Sequence, residues 1–231
     1  MSKYITIKDI ANELGISKST VSRALSGDAS NVKAETMKLI TETARRMGYQ
    51  RNELAVSLRK QSSHNIAIII PEIVTTFYMT FIDHAQTILR KHGYNVLIAS
   101  SNESYIQECR NIEMMEHCMV DGLLISVCDK ERNTDVYRRI VSRGTPVVFF
   151  DRTIDNVEAS QVRSDDYIMA FFMVEQLIRS GNKRIVHIPG PSRIRNAYER
   201  QRGYRDALEK FHVDFNPDLV LPPALSAEEG S

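Results

Sequence analysis

The sequence predicts an α/β protein in two parts: a small all-α N-terminal unit built around a helix-turn-helix, followed by a parallel α/β core. Three observations carry that expectation. Between Thr6 and Met47 the apolar residues recur at helical spacing. From Asn65 onward, unbroken Val/Ile/Leu runs alternate with helical stretches, the pattern of strands buried on both faces of a parallel sheet. Charge is also unevenly divided. Residues 1–60 hold 11 Lys/Arg against 6 Asp/Glu, a net of +5, and the remaining 171 residues hold 19 against 23, a net of −4. A basic first quarter on an acidic remainder suggests a nucleic-acid-binding module attached to something with another task.

Thr6 to Ser26 (TIKDIANELGISKSTVSRALS) reads as two short helices. Thr6 can N-cap the first, with Asp9 three residues on in an acidic variant of the capping box. Ile7, Ile10, Ala11 and Leu14 then fall on one face, and Gly15 stands where the chain must leave the helix through a left-handed residue. Ser17 can cap the second helix, which would bury Val21, Ala24 and Leu25, with Ile16 plugging the corner. Lys18, Ser19, Thr20 and Arg23 are left at the start and outer face of that helix, all able to hydrogen-bond. This is the build of a helix-turn-helix, whose second helix offers its N-terminal half to the DNA major groove. A helical hairpin with a merely solvated polar side is the bland alternative for so short a spacing. A third helix follows over Val32 to Met47, with Gly48 as its C-cap and Tyr49 folding back onto the core.

Asn52 to Lys60 has helical composition but is too short to hold a helix alone in water. Gln61 to His64 is a polar connector. The core then reads NIAIIIP as a strand, Phe77 to His92 as a helix stopped by Gly93, and YNVLIAS as the second strand. A helix across Ser104 to Met119, the strand DGLLISV, a helix over Thr134 to Ser142 and the strand TPVVFF follow. A shorter strand near Ala159–Arg163 leads to a helix over Tyr167 to Ser180. The strand KRIVHIPG, a helix over Ala197 to Phe211 and the short run LVLPP complete the pattern.

The 231 residues, 42% hydrophobic and 26% charged, are enough for a sizeable core. No apolar run approaches the ~20 residues of a membrane span, and MSKYITIKD has no apolar stretch ahead of a cleavage site. Cys109, Cys118 and Cys128 show no metal-binding spacing and fit reduced, buried thiols in a cytoplasmic protein. No G-x-G-x-x-G follows the first strand, no G-x-x-x-x-G-K-[ST] or G-x-S-x-G occurs, and the histidines are scattered. Neither a catalytic set nor a metal or cofactor is therefore expected. The loop PGPSR after Ile188 reads as a plain turn or, less simply, as a phosphate cradle.

The runs TIKDIANELGISKSTVSRALSG and VKAETMKLITETARRMGYQRNELAVSLRK closely resemble the headpiece of the lactose-repressor (LacI/GalR) family of bacterial transcription factors. The resemblance continues through VDGLLIS, PVVFFDRT, KRIVHIPGP and the R-x-x-G of Arg200–Gly203. It implies a headpiece (1–50), a hinge helix and linker (51–64), a first lobe (65–163) and the start of a second lobe (164–231). The core would be periplasmic-binding-protein-like, with a small sugar-like effector in its cleft. Family members carry several more β/α units, so the core is expected to be incomplete at the C-terminus. Its apolar faces at Ile185–Ile188 and Leu219–Leu221 would then lie uncovered.

Residue by residue, the resemblance assigns base contacts to Lys18, Ser19, Thr20 and Arg23, and phosphate contacts to Thr6, Ser17 and Ser22. Leu58 would wedge into the minor groove of operator DNA, with Ala55 packing on its symmetry mate in a homodimer. The alternative is a linker helix with Leu58 docked on its own domain. Phe77, Tyr78, Asp151, Asn196 and Arg200 match the family's ligand contacts, through aromatic stacking and charge-assisted hydrogen bonds. Against that stand a core role for Phe77 and a direct Asp151–Arg200 pair across the lobes. The expected activity is that of a dimeric, DNA-binding repressor. The runner-up is a small-molecule binding protein with vestigial DNA binding.

Overall fold

The computed structural model describes residues 5–27, 32–50 and 62–223, and these form two separately compact units, Met1–Arg59 and Lys60–Ser231.

In the first unit, α1 (Ile7–Leu14), α2 (Lys18–Leu25) and α3 (Ala34–Met47) close around Ile10, Ala11, Val21, Ala24, Ile40 and Ala44, all buried. Ile16 and Tyr49 pack on that core as half-buried side chains. The third helix starts two residues later than its periodicity suggests, because Lys33 takes the N-cap position in extended conformation. Gly15 and Gly48 leave their helices at φ 63° and 71°, the left-handed region where only glycine escapes a Cβ penalty.

The second unit opens on a five-stranded, all-parallel sheet in the order β2-β1-β3-β4-β5. Its strands are β1 (Asn65–Ile70), β2 (Asn95–Ser100), β3 (Gly122–Ile125), β4 (Val147–Phe150) and β5 (Ser160–Val162). Period-two alternation sends Ala67 and Ile69 of β1 to one face, and Ile68 and Ile70 to the other. The helix α4 (Thr76–Lys91) covers the second face with Tyr78 and Ile82. The helices α5 (Tyr105–His117) and α6 (Thr134–Ser142) cover the first with Ile112, Met115, Tyr137 and Ile140. Asp121, at the entrance to β3, receives the backbone N–H of Ser63 at 2.7 Å and of His64 at 3.0 Å, which fixes the start of the unit.

A smaller cluster follows, formed by α7 (Asp166–Arg179) and α8 (Arg195–Lys210) around Val174, Ile185, Tyr204, Ala207 and Leu208. The expected strand KRIVHIPG is not a ladder strand. His187 makes one isolated parallel bridge to Val220, its N–H bonding Leu219 O at 2.8 Å and its carbonyl accepting from Leu221 N at 3.0 Å. The neighbouring run cannot extend the pairing: it leaves a 3-10 turn at Pro217–Leu219 and meets Pro222 and Pro223, which have no N–H to donate. The uncovered apolar surface includes part of the expected runs and extends beyond them. Val186, Ile188 and Leu221 are exposed but Ile185 is buried, and a larger exposed stripe runs along α7. The three cysteines are free thiols, yet only Cys128 is buried; Cys118, at the C-terminal end of α5, is exposed and Cys109 half-buried.

Candidate functional site

The helix-turn-helix is set by local chemistry. The Thr6 N–H and hydroxyl both reach Asp9 Oδ2, at 2.9 and 2.7 Å, so the acidic residue closes the capping box and fixes the entry to α1. After Gly15, Ile16 N–H donates to Ala11 O at 3.0 Å and the chain turns directly into Ser17. Ser17 Oγ accepts from Thr20 N–H at 3.1 Å, the N-cap bond of α2.

That anchoring leaves Lys18, Ser19 and Arg23 exposed, and Thr20 and Ser22 half-buried beside them. Lys18 and Arg23 enter no ion pair among the described residues, so both cations are available to an anionic or acceptor-rich partner. One feature escaped sequence reasoning. Ser17 Oγ lies 2.8 Å from both Ser19 Oγ and Thr20 Oγ1, joining three hydroxyls in one cluster at the helix start. Ser17, the expected phosphate contact, and Ser19 and Thr20, the expected base contacts, thus share hydrogen bonds before any partner arrives. The S-x-S-T spacing was the available signal. Thr6 is exposed at the start of α1, while Ala55 and Leu58 lie outside the described residues.

In the second unit, Phe77, Tyr78, Asp151, Asn196 and Arg200 all line one cleft of about 400 Å³, within the range of small-molecule sites. The first turn of α4 supplies both aromatics, the residue after β4 supplies Asp151, and α8 supplies Asn196 with Arg200 one turn on. Tyr78 is 3% exposed; its hydroxyl donates to Asp151 Oδ2 at 2.7 Å and lies 3.0 Å from Ser126 Oγ. Burial, and then the Asp151 charge, push the phenol well above its ordinary range, so it is a fixed donor. Asn196 Nδ2 donates to Asp151 Oδ1 at 2.9 Å. Asp151 therefore joins α4 to α8, held at φ 56°, a left-handed conformation uncommon outside glycine.

The direct Asp151–Arg200 pair is not formed: Arg200 Nε instead meets Asp166 Oδ1 at 2.7 Å, because the first turn of α7 lies nearer than the end of β4. Nor is Phe77 core. It is 55% exposed and rests edge-on against Tyr78, ring centroids 5.1 Å apart. Glu72 and Arg152, in strand-end loops where a ligand was expected but without an assigned role, also line the cleft, as does His187, which sequence reasoning did not place there. Arg152 Nη1 bonds both oxygens of Glu103, at 2.8 and 3.0 Å. Glu72 Oε2 accepts the N–H groups of Val74 (2.7 Å) and Thr75 (3.1 Å), which lead into α4. An acid just after a strand and three residues before a helix was the signal for it. The PGPSR loop closes as a turn, Ile194 N–H to Pro191 O at 2.9 Å. Among the described residues no His/Cys/Asp/Glu group is arranged to hold a metal, and no helix is long and apolar enough to cross a membrane.

A glycine-turned helix pair ahead of a parallel α/β unit, with a polar cleft beyond the carboxyl ends of the strands, defines a helix-turn-helix protein with a periplasmic-binding-protein-like core. Residues 63–222 match the family of periplasmic binding proteins and the sugar binding domain of the LacI family, and residues 6–52 match the bacterial regulatory proteins of the lacI family. The chain belongs to the LacI family. It is 28% identical over 222 residues to the sucrose operon repressor of Klebsiella pneumoniae, covering 95% of this chain and 66% of that one. To the ribose operon repressor of Bacillus subtilis (strain 168) it is 30% identical over 210 residues, covering 91% and 62%. The chain thus spans slightly under two thirds of the length of these relatives. Its fold is similar to the lac repressor dimer bound to operator and the anti-inducer ONPF, with a TM-score of 0.74 at 20% identity, covering 92% of this chain and 64% of that one.

Proposed function

We propose that this chain is the DNA-reading and effector-sensing part of a cytoplasmic transcriptional regulator, a repressor, that binds a pseudo-palindromic operator as a homodimer. The observation that carries this reading is the presentation of α2. Its N-cap is locked, its apolar side is buried on α1 and α3, and Lys18, Ser19 and Arg23 are exposed with the half-buried Thr20 beside them, both cations in no ion pair among the described residues. Thr6, Ser17 and Ser22 are proposed to hold phosphates, Leu58 to wedge the minor groove, and Ala55 to pack against its mate. Phe77, Tyr78, Asp151, Asn196 and Arg200 are proposed to bind a sugar-like effector. No enzymatic role is proposed.

Selection of bound duplexes from a random pool tests the reading. The expected result is a palindromic consensus whose half-sites reflect a two-fold dimer. Recovery of no consensus, without salt-sensitive retention on heparin, favours a small-molecule binding protein with vestigial DNA binding.

A further inference from the structure

We propose that the cleft admits an uncharged, hydroxyl-rich ring compound and excludes sugars carrying phosphate or carboxylate, because Glu72 and Asp151 line it with carboxylates that no cation pairs with among the described residues. The proposal rests on the reading of this cleft as the effector site and names the ligand class.

A helix start attracts anions through its free N–H groups and dipole. Two helices begin at this cleft, and a protein carboxylate lies beside each. Glu72 Oε2 caps the amides of Val74 and Thr75 at the entry to α4. Beside α8, Asp151 accepts from the side-chain amide of Asn196 and from the Tyr78 hydroxyl. Neither carboxylate is in an ion pair among the described residues; their partners are neutral N–H and O–H donors.

The cations of the cleft do not offset them. Arg152 is matched by Glu103, and Arg200 by Asp166. His187 adds no charge at neutral pH: burial holds its imidazole below the ordinary histidine range, and its buried Nε2 has no hydrogen-bond partner among the described residues. With each arginine matched by its own acid, Glu72 and Asp151 leave the wall with an excess of negative charge. An incoming phosphate would shed water to meet like charge, which costs it twice. A hydroxyl gains instead, donating to Glu72 Oε1 or to the remaining lone pairs of Asp151 in charge-assisted bonds. The exposed ring of Phe77 supplies a flat apolar surface for the C–H face of a sugar ring.

Thermal shift and calorimetry on the full chain, with matched pairs of ligands, test the proposal. Glucose is set against glucose 6-phosphate, fructose against fructose 1-phosphate, ribose against ribose 5-phosphate, and glucose against glucuronate. Binding is expected only among the uncharged members. Glu72→Gln, whose amide oxygen still caps Val74 and Thr75, should weaken the uncharged ligand by about tenfold. The same variant should narrow the discrimination against its phosphate ester. A phosphate ester or glucuronate that binds more tightly than its parent overturns the proposal, and so does the failure of every uncharged member to bind. Operator selection run on the same protein separates the two readings. A recovered operator without sugar binding sinks the ligand class alone, and sugar binding without an operator sinks the DNA reading alone.

Discussion

Single side chains at the start of α2 decide both stability and reading. Ser17→Ala removes the acceptor for Thr20 N–H and the hub of the hydroxyl cluster, and is expected to cost about 1 kcal/mol in denaturant unfolding. Lys18→Ala and Arg23→Ala should leave unfolding unchanged and relax base preference, by about 1–3 kcal/mol for each lost bidentate contact. Equal weakening on selected and random duplexes would show that these side chains touch only the backbone. Caps of this kind are legible in sequence because partner and acceptor stand three residues apart. Long-range partners are not. Arg200 and Asp166 are 34 positions apart, and only the packing of α8 on α7 puts that acid, rather than Asp151, within reach. Asp121 is another such residue. Burial pushes its carboxyl upward, but the Ser62 hydroxyl and the Ser63 and His64 amides outweigh it and hold it below the ordinary 3.8. A depressed carboxyl stabilises the fold above its unfolded value, and that contribution fades as pH falls through the folded one. The melting-temperature gap between the native chain and Asp121→Asn should therefore be full near pH 6 and shrink below about pH 3.8.

Among the elements, the α7–α8 crossing is the one built on a missing side chain. A Cβ at Gly203 would stand 2.4 Å from Tyr167 O and 2.9 Å from Phe171 N, both backbone atoms that cannot swing aside. Gly203→Ala is expected to drive the helices apart, lowering stability by about 1–3 kcal/mol. It should also shift Arg200, one turn earlier on the same helix, away from Asp166. A melt unchanged from the native chain would mean that the crossing yields freely. The R-x-x-G motif drew attention to this glycine, but a motif does not say which backbone approaches it. The strand KRIVHIPG was misread for a related reason. Its composition is right for a buried strand, and the number of neighbours available to pair with it is a property of the rest of the molecule. The parallel sheet, by contrast, was legible strand by strand, since β1 is apolar at every position from Ile66 on and buried on both faces from Ala67 to Ile70.

At the scale of the whole chain, the distribution of exposed apolar surface governs behaviour in solution. Sequence reasoning expected it on the short runs Ile185–Ile188 and Leu219–Leu221. The structure places more of it on α7, where Ile168, Met169, Phe172, Met173 and Leu177 are each more than 40% exposed and fall on one helical stripe. The helix is apolar nearly all round, so periodicity alone could not tell its buried side, marked by Val174, from its open one. Contiguous apolar patches of this kind associate in water. Val186 and Ile188, exposed on the run that makes only one bridge, add an unpaired edge. The chain is therefore expected to bind a hydrophobic dye and to self-associate as concentration rises. The double substitution Met169→Lys and Met173→Glu, both on the open side, should remove association beyond the dimer in sedimentation without lowering the unfolding midpoint. Because α2 lies in a separately packed unit, the same substitutions should leave operator binding at low protein concentration intact. A loss of stability in that variant would mean that the stripe is packed inside this chain, and persistent association would place the sticky surface elsewhere.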